Sequence, residues 1–173
     1  QMETLTDGPE GEYLTQRLGS EAVRLIRERD KTKPFFLNFW HYAVHAPMQA
    51  PADLVAYFAE KSRKMGLDKL DPFEVGEHFP IEAKKDQRVV RRTIQSDPVY
   101  AAMIYSMDQT VGQLVETLRQ EGLEEDTIVI FTSDNGGLAT AEGSPTCNYP
   151  LSEGKGWMYE GAVREPLAVV GPG

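Results

Sequence analysis

The chain has 173 residues, enough for one domain with a buried core, and a formal net charge of −9. That acidic balance excludes the basic footprint of a nucleic-acid binder and disfavours attachment to an anionic membrane surface. One cysteine, Cys147, excludes an internal disulfide framework, and no apolar run reaches the ~20 residues of a membrane-spanning helix.

Residues 1–12 read as loop. From Leu14 to Arg29, apolar residues at Leu14, Leu18, Ala22, Leu25 and Ile26 predict one face of a helix. Lys33-Pro34 closes that unit, since proline disfavours helix in the residue before it. Phe35 to Trp40 then reads as a buried strand, and helix followed by strand is half of an α/β repeat. The strand runs into a loop, His41 to Pro47, that carries two of the three histidines. An imidazole there could bind an anion, transfer a proton or ligate a metal, or simply pack its ring.

Pro51 to Ala59 predicts a short helix with Leu54, Val55 and Phe58 on one side. Residues 60–97 are basic and weakly periodic, and read as an excursion over the surface. Pro98 to Glu121 is the clearest helix: Met103, Met107, Val111, Leu114, Val115 and Leu118 keep helical spacing, with proline at the start and Gly122 after the end. Asp108 reads as a helix-surface carboxylate.

Thr127 to Thr132 predicts a strand buried on both faces, as β-branched and aromatic residues in an unbroken apolar run suggest. It stops at Asp134-Asn135-Gly136-Gly137. The four residues suit a turn. They also place two hard oxygen donors at a strand's carboxyl end, where open α/β sheets bind ligands and where Ca²⁺ or Mg²⁺ could sit. Residues 138–151 form a long loop. Lys155, between Gly154 and Gly156, is either an ordinary loop lysine or a mobile positive charge for an anion. The phosphate-loop pattern is not met around it. Leu167 to Val170 reads as a last buried strand.

The order of these motifs resembles the formylglycine-dependent sulfatases of the alkaline-phosphatase superfamily. The resemblance is carried by Lys33-Pro34-Phe35-Phe36-Leu37 leading to His45-Ala46-Pro47, by Phe131-Thr132-Ser133-Asp134-Asn135-Gly136, and by Gly154-Lys155-Gly156 leading to Glu160-Gly161-Ala162-Val163-Arg164-Glu165-Pro166. It covers roughly residues 13–51 and 98–173. It implies an α/β fold with a mostly parallel sheet flanked by helices, and hydrolysis of aryl or sugar sulfate esters with a formylglycine nucleophile and Ca²⁺. By the same resemblance Asp134 and Asn135 are metal ligands, Lys155 contacts the sulfate group, and His45 assists the leaving group. A secreted, periplasmic or lysosomal location is also implied.

The chain departs from the family pattern in two ways. Ala162 stands where the second glycine of Glu-Gly-Gly is usual. No Cys/Ser-x-Pro-x-Arg nucleophile motif occurs: Cys147 is followed by Asn148, Tyr149, Pro150 and Leu151. The family's aspartate pair and its further lysine and histidine contacts are also missing. The expectation is therefore a single, incomplete catalytic domain over 1–173, with 60–97 as a surface insertion, carrying half an active site and inactive by itself. Two alternatives stay open. One is a phosphate or phosphonate ester hydrolase of the same superfamily, although the amide Asn135 suits Ca²⁺ better than the imidazole a zinc site would use. The other is a non-catalytic binding fragment.

Overall fold

A computed structural model describes residues 8–172. Two helices, then two strands, then two helix–strand units follow one another along it. The helices are α1 (Leu14–Arg27), α2 (Ala52–Lys64), α3 (Pro98–Gln120) and the single turn α4 (Glu160–Val163). The strands are β1 (Phe73–His78), β2 (Arg88–Arg92), β3 (Val129–Thr132) and β4 (Leu167–Val170). This is the α/β class expected from the sequence.

Helix α3 organises the helical side, with α1 and α2 packed on it. Its start is set by Asp97, whose carboxylate accepts from the N–H groups of Val99 and Tyr100 at 2.9 and 3.0 Å, while Pro98 fills the first turn. Gly122 ends it at φ 68°, in the left-handed region. Met103 and Leu118 are buried as their spacing predicts. Ser106, Thr110 and Thr117 are buried too, and each donates its hydroxyl to a carbonyl three or four residues back, at 2.9, 2.7 and 2.7 Å. Asp108 is exposed.

The packed face of α1 differs from the apolar one. Thr15, Gly19, Ala22 and Ile26 are buried, while Leu14 and Leu25 stand out to solvent. Gly19 explains the rotation: a Cβ there would meet Thr110 Cγ2 at 2.7 Å. The two backbones approach too closely for a larger residue, so small side chains take the contact and leucine the flank. Beyond the helix, Arg29 bonds Glu121 at 2.9 Å and ties the end of α1 to the end of α3.

The stretch 35–40 corrects the sequence expectation. It forms no strand, and Phe36 and Trp40 are 88% and 83% exposed. A strand needs a partner for its N–H and C=O groups, and none of the described residues pairs with it. Its side chains alternate between half-buried and exposed, so one side only rests on the protein.

The other strands pair in two antiparallel couples. β1 and β2 form a hairpin within the basic segment, where periodicity gave no strand; Phe73 faces Arg92 and Val75 faces Val90, with an irregularity before His78 opposite Arg88. β3 and β4 pair with Val129 opposite Val170 and Thr132 opposite Leu167. The parallel pairing expected of the sheet does not occur among the described residues. A parallel return needs a helix-length crossover, and α4 is the only helix between β3 and β4. Nor is this pair buried on both faces: Ile130, Leu167 and Val170 are exposed, because no layer of described residues covers them.

Candidate functional site

The turn after the 35–40 stretch is closed by the His45 N–H donating to Tyr42 O at 3.0 Å. The His45 ring then makes two contacts that define its tautomer. Nδ1 lies 2.8 Å from Ala46 O, and a carbonyl only accepts, so Nδ1 carries the proton. Nε2 lies 2.8 Å from Lys155 Nζ, across 110 residues of sequence. An ammonium only donates, so Nε2 offers its lone pair and the imidazole is neutral. The pair is exposed on the surface.

His41 does something else. Its Nε2 lies 2.8 Å from Thr110 Oγ1, and that hydroxyl already gives its proton to Met107 O at 2.7 Å. Thr110 must therefore accept, and His41 carries its proton on Nε2. Its Nδ1 is buried with no partner among the described residues. Burial pulls its pKa below the ordinary 6.5, favouring the neutral ring. Of the two loop histidines, one joins Lys155 and the other packs against α3.

The Asp134–Gly137 turn leaves the end of β3. Ser133 donates its hydroxyl to Asn135 O at 2.8 Å, and Asn135 Nδ2 donates to Gly136 O at 3.1 Å. The turn is then locked to the two later motifs through the backbone. Gly136 N–H donates to Ala162 O at 3.0 Å, and Lys155 N–H donates to Gly137 O at 3.1 Å. A Cβ on Gly136 would strike the Gly161 carbonyl, and one on Gly154 would strike the Gly137 carbonyl. These glycines are required by close backbone approach. Ala162, by contrast, sits buried in α4, where its methyl is accommodated.

The structure thus joins Lys155 to His45 through side chains, and Lys155 to the Asp134–Gly137 turn through backbone. Asp134 is exposed and Asn135 half-buried. Burial and the Asp134 charge together raise the Glu165 carboxyl above its ordinary value, and Glu165 Oε1 is buried without a partner among the described residues. With its Nδ2 engaged on Gly136, Asn135 has no hydrogen bond to its amide oxygen among the described residues. Asp134 and Asn135 therefore fit a hard cation in kind but not in number, since Ca²⁺ takes about six to eight oxygens. No group of three or more His, Cys, Asp or Glu side chains suited to a metal occurs among the described residues.

Sequence reasoning missed the residues that support this site. Arg91, from β2, bonds Glu153 at 2.7 Å, two residues before Lys155. Arg92 is buried and donates to Ser144 O at 2.5 Å, and its guanidinium lies 4.7 Å from the Phe73 ring centre. The hairpin is thereby fastened to the 138–153 loop. Just past β1, Phe79 stacks on Trp157 with centres 5.8 Å apart, and Trp157 Nε1 donates to Thr140 at 2.8 Å. A run of basic residues gives no sign of which arginine will be buried.

A family model described as Sulfatase matches residues 1–173. A sulfatase of Formosa agariphila is 37% identical over 171 residues, covering 93% of this chain and 25% of the relative. Arylsulfatase J of Mus musculus is 32% identical over 158 residues, covering 91% of this chain and 21% of the relative. The chain spans about a quarter of the length of these curated relatives. Among solved structures, Ps i-CgsB in complex with k-i-k-neocarrahexaose superposes with a TM-score of 0.67 at 29% identity, over 98% of this chain and 30% of that one. The fold is accordingly the alkaline-phosphatase-like α/β fold of the sulfatases.

Proposed function

This chain belongs to the sulfatase family, and from that premise we propose that the protein hydrolyses sulfate esters, with Lys155 and His45 acting on the ester and Asp134 and Asn135 holding a cation. The observation that carries the reading is the 2.8 Å contact between Lys155 Nζ and His45 Nε2, made beside a turn to which Lys155 is also bonded by its backbone.

The chemistry follows from these groups. The ester S–O bond breaks, water supplies the new oxygen on sulfur, and the products are an alcohol and hydrogen sulfate. Negative charge moves through the sulfate oxygens to the leaving oxygen. Lys155, turned from His45 onto a sulfate oxygen, offsets that charge with a fixed positive one. The leaving oxygen must gain a proton. A proton arriving on His45 Nε2 from solvent is passed to it. The Nδ1–H bond to Ala46 O keeps the ring aimed for that task. Ca²⁺, bound in part by Asp134 and Asn135, would supply Lewis-acid charge to the same oxygens. The nucleophile expected of the family, formylglycine, would come from residues outside these 173.

For the alcohol we favour a sugar. Ps i-CgsB, at 29% identity, was solved with a neocarrahexaose. Phe79, Trp157 and Tyr159 also set aromatic rings along the chain that follows Lys155, the last two with centres 6.1 Å apart. Such faces suit a sugar ring. The test is sulfate release by the full-length protein from sulfated oligosaccharides and from an aryl sulfate, with the matching aryl phosphate alongside. Turnover of the sulfates well above the phosphate is expected. Equal or preferred phosphate turnover would contradict the reading.

A further inference from the structure

Asn148 stands between the two loops that carry the proposed site, and no motif or expected role accounts for it. Its Nδ2 spends both protons. One goes to Gly137 O at 2.8 Å, the other to Glu153 O at 2.8 Å. Both acceptors are carbonyls, so the amide must face them with its nitrogen. Gly137 closes the Asp134–Gly137 turn, and its carbonyl also accepts the Lys155 N–H. Glu153 lies two residues before Lys155. A single amide therefore spans the metal-type turn and the lysine loop.

The surroundings leave the amide little freedom. A Cβ on Gly137 would meet Asn148 Oδ1 at 2.8 Å, and one on Gly154 would meet Asn148 Nδ2 at 2.5 Å. Glycine on both sides lets the backbones close around the side chain. Glu153 holds φ 57°, in the left-handed region that a side chain disfavours. It is kept there by the Asn148 bond to its carbonyl and by the Arg91 bond to its carboxylate, whose side chain is 9% exposed. Asn148 is in turn anchored to the approach to α3: Gln95 Oε1 accepts from Thr146 Oγ1 at 2.9 Å and from Cys147 N at 2.7 Å.

We propose that Asn148 is a positioning residue of this site, holding the Lys155 loop in register with the Asp134–Gly137 turn so that Lys155 Nζ reaches His45 Nε2. It acts through Lys155 and touches no substrate. The catalytic part of the proposal rests on the sulfatase reading above; the positioning part does not.

The test uses the full-length protein with Asn148→Asp, Lys155→Ala and the double variant. Asn148→Asp keeps the shape but sets a carboxylate oxygen against two carbonyls. We expect kcat/KM for an aryl sulfate to fall about 100-fold, the scale of a misplaced catalytic group. In the Lys155→Ala background the same change should cost less than about 3-fold, because both changes remove one contribution. A merely structural loss would be additive, and full additivity would overturn the proposal. Crystal structures of wild type and Asn148→Asp supply the arm that does not depend on activity. Displacement of Lys155 Nζ from His45 Nε2 supports positioning; retention of that contact overturns it. If the wild type turns over no sulfate ester, the sulfatase reading fails, and the crystal comparison alone decides for or against positioning. Should Asn148→Asp not fold, Asn148→Ser, with one donor in place of two, goes through the same cycle and comparison.

Discussion

The α1–α3 side and the loop side of this molecule are held together differently. Where α1 crosses α3, side chains repeat along two regular surfaces and meet face to face. On the loop side, four stretches distant in sequence meet through backbone carbonyls, glycines and single polar side chains. The two loop histidines show the contrast. His41 gives its Nε2 proton to a helix hydroxyl and hides its other nitrogen. His45, four residues on, carries its proton on the opposite nitrogen and turns its free lone pair to Lys155. Regular packing tolerates small changes by sliding or tilting. A web of carbonyl contacts has no such slack, and that rigidity is what a site needs to aim a lysine.

Glycine substitutions probe this difference. The largest effect is expected at Gly136→Ala, where the new methyl strikes the Gly161 carbonyl and backbone must move. Overpacking costs about 1–3 kcal/mol, and sulfate-ester turnover by the full-length protein should fall about 100-fold as Lys155 is displaced. Thermal melts and initial rates on the same preparation measure both. Gly19→Ala tests the helical side. Its methyl meets the Thr110 side chain at 2.7 Å, so stability should fall by about 1–2 kcal/mol with turnover nearly unchanged. A larger loss of activity at Gly19 than at Gly136 would break the contrast.

Smaller effects sharpen it. Gly112 lies exposed within α3, and a Cβ there meets nothing within 4 Å. Gly112→Ala should stabilise by about 0.5–1 kcal/mol through helix propensity alone, as denaturant titration would register. The smallest effect concerns pH. The folded pKa of His41 lies below its unfolded value near 6.5 because burial disfavours the charged ring. The unfolded state then binds more protons in the window just below 6.5, so the His41 contribution is full above that value and is lost as pH falls through the window. Denaturation midpoints from pH 7 to pH 5 should fall less steeply for His41→Gln than for wild type. Equal slopes would show that His41 is not buried neutral.

What the sequence revealed follows the same division. The start and end of α3 were legible because Pro98 and Gly122 act locally; the Asp97 cap was seen only in the structure. Met103 and Leu118 were legible because helical spacing repeats. The face of α1 was misread because close approach at Gly19 outweighed the hydrophobicity of Leu14 and Leu25. The β1–β2 hairpin was missed because its anchors, Arg91 and Arg92, are charged. The apolar runs at 35–40 and 167–170 suggested buried strands, and that at 127–132 a strand buried on both faces, yet the described residues leave all three largely uncovered. In the site, the order of motifs pointed to His45, Lys155, Asp134 and Asn135. The contact between His45 and Lys155 across 110 residues, and the bridge through Asn148, have no local signature. They exist only once the chain has folded.

The account rests on Lys155 serving a sulfate ester in company with His45. The most direct measurement is kcat/KM for an aryl sulfate with full-length wild type and Lys155→Ala. Loss of one preorganised charge at the reacting group predicts a fall of about 100- to 1,000-fold, with the melting temperature little changed. A Lys155→Ala protein that keeps wild-type turnover would contradict the account.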